Sequence, residues 1–310
     1  MTQAEPRRRA RLMSTTSGTN SGTYTAEDWG LTGAVALMWG SANFLIAEAL
    51  DDLEPGLVTL LRVSIGFVTL AMMRRARRVR VAREDWPHIV VVGITWIALP
   101  FTLFPIAQQW IDSSLAGILI GALPLFTAAL ASVLMRRRPS RLQSIGLAIG
   151  LAGVVCVGAP ALGEEDSTVL GVVLVLVAVL SYAVAVNISV PLQQRYGSVP
   201  LMARALGVAT ILVVPFGLAS IPDSHLGGQS ALSVIVLGIF PSGLAFLAFT
   251  TLTGRVGATR GAVANYFVPV VALFLGALVR DEDVAVLALA GTVLVVLGAI
   301  VVTRSREHVR

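Results

Sequence analysis

The chain has 310 residues, 55% of them hydrophobic and only 13% charged, with a mean hydropathy of +0.81. Soluble domains carry about 25% charged residues, so this composition excludes an ordinary soluble globular fold and points to the bilayer as solvent. The formal net charge is +5 with no lysine, and the arginines stand in short clusters between apolar runs, an arrangement that reads as a membrane topology signal rather than a nucleic-acid footprint.

Residues 1–28 open the chain with Arg7, Arg8, Arg9 and Arg11, followed by a Ser/Thr/Gly-rich stretch through Thr25. Such a segment cannot bury a core and is expected to be a disordered cytoplasmic tail. It does not read as a cleaved signal, because the next apolar run starts late and no small-residue cleavage site follows it. Ten apolar segments come next, at 31–50, 55–73, 88–108, 113–135, 142–159, 168–190, 199–220, 230–252, 259–279 and 284–303. Each is close to the ~20 residues that a bilayer-crossing helix needs, and too long and uniformly apolar for an outer-membrane strand. A short tail, 305–310, ends the chain.

Orientation follows from the arginines. Arg74, Arg75, Arg77, Arg78, Arg80 and Arg83 lie after the second segment, Arg136, Arg137, Arg138 and Arg141 after the fourth, and Arg304, Arg306 and Arg310 at the end. With ten spans all of these share a side with the N-terminal cluster, while the opposite loops carry Asp51-Asp52-Leu53-Glu54, Glu164-Glu165-Asp166, Asp223 and Asp281-Glu282-Asp283. Both termini are therefore expected in the cytoplasm of a multi-pass cell-membrane protein.

The two halves resemble each other. A constant shift of 145 residues pairs Pro55 with Pro200, Gly93 with Gly238, Leu99 with Leu244, Phe101 with Phe246, Phe104 with Phe249, Pro124 with Pro269, Gly146 with Gly291 and Gly153 with Gly298; Trp39 meets Tyr182 at 143. Five spans per repeat is an odd number, so the halves, 29–160 and 161–304, must cross the membrane in opposite senses. Their loop charges agree: Arg136-Arg137-Arg138 corresponds to Asp281-Glu282-Asp283. The expected fold is thus all-α, with ten transmembrane helices in two inverted five-helix repeats and a site near the midplane where the halves meet.

Several stretches carry a family resemblance. Trp39-Gly40-Ser41-Ala42-Asn43-Phe44 resembles the opening of EamA-type proteins of the drug/metabolite transporter superfamily, and Pro55 followed by Arg62 resembles their second helix. Ser113 to Gly117, with Ala122-Leu123-Pro124-Leu125-Phe126, resembles the fourth. Phe267-Val268-Pro269-Val270-Val271-Ala272, then Glu282 and Gly291, resembles the ninth and tenth. The resemblance covers 31–303 and implies metabolite or drug transport, often export, with helices one to four and six to nine around a cavity. Arg137 stands where the family usually has a glutamate.

Within the spans a few residues stand out. Arg62 lies about 10 Å into the second helix at 1.5 Å per residue, where a charge costs about 2.5–3.5 kcal/mol on insertion scales. It either faces a cavity or a buried partner, with Glu48 as the candidate, or snorkels outward; Arg204, near the cytoplasmic side, reads as snorkelling. Trp39, Asn43, Trp96, Tyr182, Asn265 and Tyr266 sit well inside their spans, whereas interfacial aromatics belong at the ends. They are the candidate substrate-binding set, with helix–helix hydrogen bonding as the plain alternative. Arg62, Glu48, Pro124 and Pro269 are the candidate structural or gating set.

Cys156 is the single cysteine, and His88, His225 and His308 are far apart. No phosphate-binding G-x-x-x-x-G-K-S/T loop, H-E-x-x-H or paired intramembrane carboxylate is present, so no cofactor, metal site or catalytic set is expected. The leading reading is a secondary transporter or facilitator, with a small organic solute and the lipid bilayer as partners. An integral-membrane enzyme or lipid-handling protein with the same cavity is the alternative, and a channel a third.

Overall fold

The computed structural model describes residues 25–123, 126–127, 129–130, 141–158, 166–256, 261, 264–265, 267–279 and 286–304, and among them every regular element is helical. The elements are α1 (Ala26–Gly40), α2 (Ala42–Leu50), α3 (Pro55–Ala71), α4 (Arg74–Arg78), α5 (Trp86–Val92), α6 (Leu99–Ala107), α7 (Ser113–Ile120), α8 (Arg141–Gly158), α9 (Asp166–Tyr196), α10 (Ser198–Ala219), α11 (Gly228–Leu237), α12 (Ala245–Val256), α13 (Val268–Val279) and α14 (Val286–Arg304). Five continuous helical stretches are long and apolar enough to cross a membrane: Ala26–Leu50, Arg83–Ala107, Thr168–Tyr196, Ser198–Ala219 and Gly228–Val256. This is a multi-pass membrane architecture, with Leu37, Val68, Ile211 and Val293 among the large apolar side chains left on its outer surface.

Helix α1 starts at Ala26, inside the stretch 1–28 expected as tail. The reason is local: Thr25 Oγ1 accepts from Asp28 N while the Asp28 carboxylate accepts from Thr25 N, a reciprocal cap that satisfies two otherwise orphaned donors. Helix α9 is longer than the expected 168–190: it runs 31 residues and continues past Pro191. Gly197, at φ 83, then supplies the left-handed turn that lets the chain reverse into α10.

Two helices widen into π-turns, at Gly93–Ala98 between α5 and α6 and at Gly238–Leu244 between α11 and α12. Their first residues are 145 apart (238 − 93), the shift read from the sequence. Pro100 follows the first and Pro241 lies inside the second; a proline removes a helical N–H, and a wider turn absorbs the mismatch without ending the helix. Carbonyls in both turns find side-chain donors: Ser181 Oγ donates to Thr95 O at 2.6 Å, and Trp39 Nε1 to Pro241 O at 3.1 Å.

Packing follows a reciprocal plan. Helix α3 lies against the π-turn 238–244 and α10 against the π-turn 93–98, while α3 and α10 pack on each other. Likewise α1 packs on α12, and α9 on α6. Glycines make the close approaches possible: a Cβ on Gly93 would lie 2.8 Å from Ala205 O, and one on Gly238 2.6 Å from Ile65 Cβ. Helices α8 and α14 meet through Gly146, Gly150 and Gly153 on one side and Gly291 and Gly298 on the other, where a Cβ on Gly153 would be 2.7 Å from Gly291 O.

Candidate functional site

A cavity lies between the elements just described. Its wall takes Trp39 from α1, Ala42, Asn43 and Ile46 from α2, Arg62 from α3, and Trp96, Phe101 and Phe104 from the first π-turn and α6. Ile120 closes α7, Leu123 follows it, and Tyr182 comes from α9, Phe246 and Phe249 from α12, and Asn265 from the segment before α13. Five of the six residues singled out for substrate binding, Trp39, Asn43, Trp96, Tyr182 and Asn265, thus share one space with Arg62. Tyr266 and Pro124 lie outside the described residues, and Pro269 sits in the first turn of α13.

The wall is chiefly aromatic. The Trp39 ring packs on Phe246 and Phe249 at centroid distances of 5.2 and 4.8 Å, and Trp96 meets the same two rings at 5.3 and 5.9 Å. Phe101 meets Phe246 edge-on at 5.7 Å, and Phe104 stacks with Tyr182 at 6.1 Å. Four of these pairs, Trp39–Phe246, Trp96–Phe246, Trp96–Phe249 and Phe101–Phe246, are edge-to-face, the geometry favoured by rings whose faces are negative and edges positive. The cage is tight, with a cavity volume of about 40 Å³. Organic-ligand sites hold about 300–1,000 Å³, so a solute would have to spread these rings.

The polar groups are few and buried. Arg62 is 3% exposed; its Nε donates to Ser242 Oγ at 3.1 Å and its guanidinium lies over the Phe101 ring, 3.6 Å from the centroid. This is the cavity-facing alternative for Arg62. The suggested pairing with Glu48 does not form: Glu48, on α2, accepts from Gln229 Nε2 on α11, and none of the salt bridges among the described residues includes Arg62. Asn43 is held by Gln108, whose Nε2 donates to Asn43 Oδ1 at 3.0 Å, while Asn43 Nδ2 is buried without a hydrogen-bond partner. Asn187, another intramembrane amide, instead bonds back to Ala183 O at 2.8 Å.

Polar contacts also tie the helix ends above and below the cavity. At the arginine-rich end, Arg255 of α12 donates from Nε to Asp28 of α1 at 2.7 Å and reaches Glu27 at 3.0 Å. Nearby Asp85 accepts from Arg195 at 2.5 Å and from the Tyr196 hydroxyl. Arg204 reaches toward the arginine-rich end, where its guanidinium caps the carbonyls of Ala76, Val79 and Pro200 and pins the loop after α3 to α10. At the opposite end, Glu48 meets Gln229 and Asp52 meets Ser230, and His225 N donates to Asp52 O at 2.8 Å.

Sequence reasoning did not select Phe101, Phe104, Phe246 and Phe249 as lining residues, although their pairing at a shift of 145 was the available signal. Asp28 falls in the expected tail 1–28, and Asp85 and Arg255 fall between expected spans, where a charge needs no special account. No group of three His, Cys, Asp or Glu that could hold a metal ion occurs among the described residues.

The chain matches the EamA-like transporter family over residues 30–159 and 169–304. It is 26% identical over 282 residues to an uncharacterized transporter of Archaeoglobus fulgidus, covering 90% of this chain and 99% of that protein. A probable terminal-alkyne amino-acid exporter of Streptantibioticus cattleyicolor is 26% identical over 86% of this chain and 90% of its own length, and the uncharacterized inner membrane transporter YedA of Escherichia coli is 24% identical over 87% and 88%. One protein crystal structure superposes with a TM-score of 0.67 at 23% identity, covering 88% of this chain and 95% of that one, a likeness of fold. With two matched segments that together take in most of its length, the chain belongs to the EamA-like transporter family.

Proposed function

We propose that this membrane transporter is a secondary transporter or facilitator that moves a small organic solute by alternating access through the aromatic cavity. The observation that carries the reading is that one cavity collects side chains from both halves: Trp39, Asn43, Arg62, Trp96 and Phe101 from the first, Tyr182, Phe246, Phe249 and Asn265 from the second. Such a midplane site at the meeting of repeats is the usual arrangement in secondary transporters.

The reading includes ten spans in two inverted repeats, 29–160 and 161–304, with cytoplasmic termini and tails before Thr25 and from 305 to 310. Its support is the pair of π-turns 145 residues apart, the reciprocal packing of α3 and α10 on them, and the loop charges. Alternating access needs two ends that open in turn. Asp28–Arg255 and Asp85–Arg195 close the arginine-rich end, and Glu48–Gln229 and Asp52–Ser230 the other. Breaking one set while the other holds is a rocking motion of packed helices, well within the known repertoire. Export is the direction taken here, in line with the name of the Streptantibioticus relative.

The test is flux in proteoliposomes against a panel of small metabolites, with and without a pH gradient, for the wild type and Trp39→Ala. Saturable flux that Trp39→Ala abolishes is the expected result. Wild-type flux in Trp39→Ala would show that the solute does not pass the cavity.

A further inference from the structure

We infer that the solute bound in this cavity is an organic monoanion: a carboxylate, or an anion of like shape, on an apolar or aromatic body, with its negative head on Arg62. This inference rests on the transporter reading of the same cavity and adds the charge class of what is carried.

Three observations lead to it. First, the only charged side chain in the cavity wall among the described residues is a cation. Arg62 is 3% exposed, and it is held by a neutral hydroxyl and a ring face, not by a carboxylate. A guanidinium has five N–H donors in a rigid fork, and among the described residues only the Nε–H is used, toward Ser242. The four terminal N–H groups are the geometry that grips a carboxylate from two sides. Ser242 and Phe101 fix the plane of the fork before any solute arrives, and such preorganisation is what turns a charge into a binding site.

Second, Asn43 adds a donor of the same polarity. It is 2% exposed, its Oδ1 is engaged by Gln108 Nε2, and its Nδ2 is buried with no partner. Buried donors without partners are uncommon in folded proteins and are costly. A donor left open in the same cavity wall as a lone guanidinium is complementary to an anion's oxygens.

Third, apart from the Asn43 and Asn265 amides the rest of the wall is aromatic and aliphatic, and it leaves room for little water. In that setting a cationic head about 4 Å from Arg62 is repelled by about 10³-fold in binding, using an effective dielectric of ~20. A neutral head escapes the repulsion but leaves the guanidinium desolvated without a counter-charge. Only an anionic head relieves both costs.

The experiment uses the full-length wild-type protein in lipid nanodiscs and three probes of one shape: 3-phenylpropionate, 3-phenylpropionamide and 3-phenylpropylamine. Binding is read by isothermal titration calorimetry at neutral pH. The expected ranking has the carboxylate at least tenfold tighter than the amide, and the amine weakest. Arg62→Lys keeps the order with a weaker anion, because a point charge cannot make the two-sided grip. Arg62→Gln brings the carboxylate down to the level of the amide, and addition of 3-phenylpropionate to the wild type quenches or shifts the tryptophan fluorescence of the cage. Equal binding of the three probes, preference for the amine, or no binding of the carboxylate overturns the inference. The wild-type ranking decides this whether or not the Arg62 variants fold. If the amine or amide wins and Trp39→Ala removes its binding, the cavity reading stands and only the charge class falls. If binding of every probe survives Trp39→Ala, it is the cavity reading that fails.

Discussion

Arg255→Gln is the most informative single change at the arginine-rich end. Asp28 is fully buried, and its carboxylate accepts from Thr25 N at 2.9 Å, Thr25 Oγ1 at 2.7 Å and Arg255 Nε at 2.7 Å. Removing one partner of a buried pair costs about 3–5 kcal/mol, because the other charge is left in low dielectric. Two features put this case at the lower end: the Thr25 bonds survive, and the Arg255 side chain is 29% exposed, so water reaches its site. About 3 kcal/mol is therefore expected, and about 1–2 kcal/mol for Asp28→Asn, which keeps the helix cap but discards the charge. The double variant should be less damaging than the sum, with a coupling of about 2 kcal/mol. Unfolding midpoints in detergent measure the cycle. A second readout follows from the gate: if the pair holds α1 to α12 only when this end is closed, its loss shifts the conformational ratio about 100-fold at 1.36 kcal/mol per decade. Labelling of a cysteine placed at Ala42, in a Cys156→Ala background, then speeds up from the arginine-rich side. A coupling under about 0.5 kcal/mol, or an unchanged labelling rate, refutes the assignment of the pair as a latch.

Three further outcomes are expected. Gly153→Leu should prevent stable assembly, seen as loss of the monodisperse peak on size-exclusion chromatography, because even a Cβ there would lie 2.6 Å from Val295 N and 2.7 Å from Gly291 O. Arg62→Ala should abolish transport in proteoliposomes, whereas Arg204→Ala should retain part of it and instead speed tryptic cleavage of the loop 74–83, which Arg204 pins through Ala76 O and Val79 O. A cysteine at position 165 should react with impermeant reagents only from outside the cell; labelling only from the cytoplasm would sink the ten-span topology.

Composition and the length of the apolar runs made the multi-pass membrane architecture legible, since a bilayer imposes length and polarity on every span. The interior position of Trp39, Asn43, Trp96, Tyr182 and Asn265 was also legible, because aromatics and amides deep in a span need a reason. What the sequence could not supply is which neighbour each one meets. Glu48 and Arg62 look like partners on adjacent helices, yet Glu48 turns to Gln229 across the repeat boundary and Arg62 to Ser242. Those choices depend on rotation of α2 and α3 about their axes, which periodicity in an all-apolar helix leaves nearly free: apolar residues surround the whole circumference and set no preferred face. Asp28 was hidden for a different reason. The Thr25–Asp28 cap is a local pattern, but the ion-pair partner Arg255 lies more than 200 residues away in sequence, and nothing local foretells that pairing.

The cavity also shows what the repeats keep and what they vary. Phe101 and Phe246, and Phe104 and Phe249, are equivalent at a shift of 145 and all four line the space; Trp39 and Tyr182, at 143, do so as well. The aromatic shell is thus the part both halves share. The polar groups are not shared. At the same shift Arg62 is matched by Gly207, which sits against the Phe67 ring, and Asn265 by Ile120, which lines the cavity as an apolar residue. Ser242, which holds the Arg62 guanidinium, is matched by Ile97. A two-fold arrangement of aromatic side chains can spread and close from either end with similar energy, as alternation between two openings requires. Under the proposed alternating access, a charge present in only one half would give a bound solute a fixed orientation that persists while the ends exchange. Gly207 faces the Phe67 ring in a separate pocket outside this cavity, so Gly207→Arg is not expected to restore flux to Arg62→Gly. Flux regained in the double variant would show instead that the transporter needs one guanidinium and not its particular address.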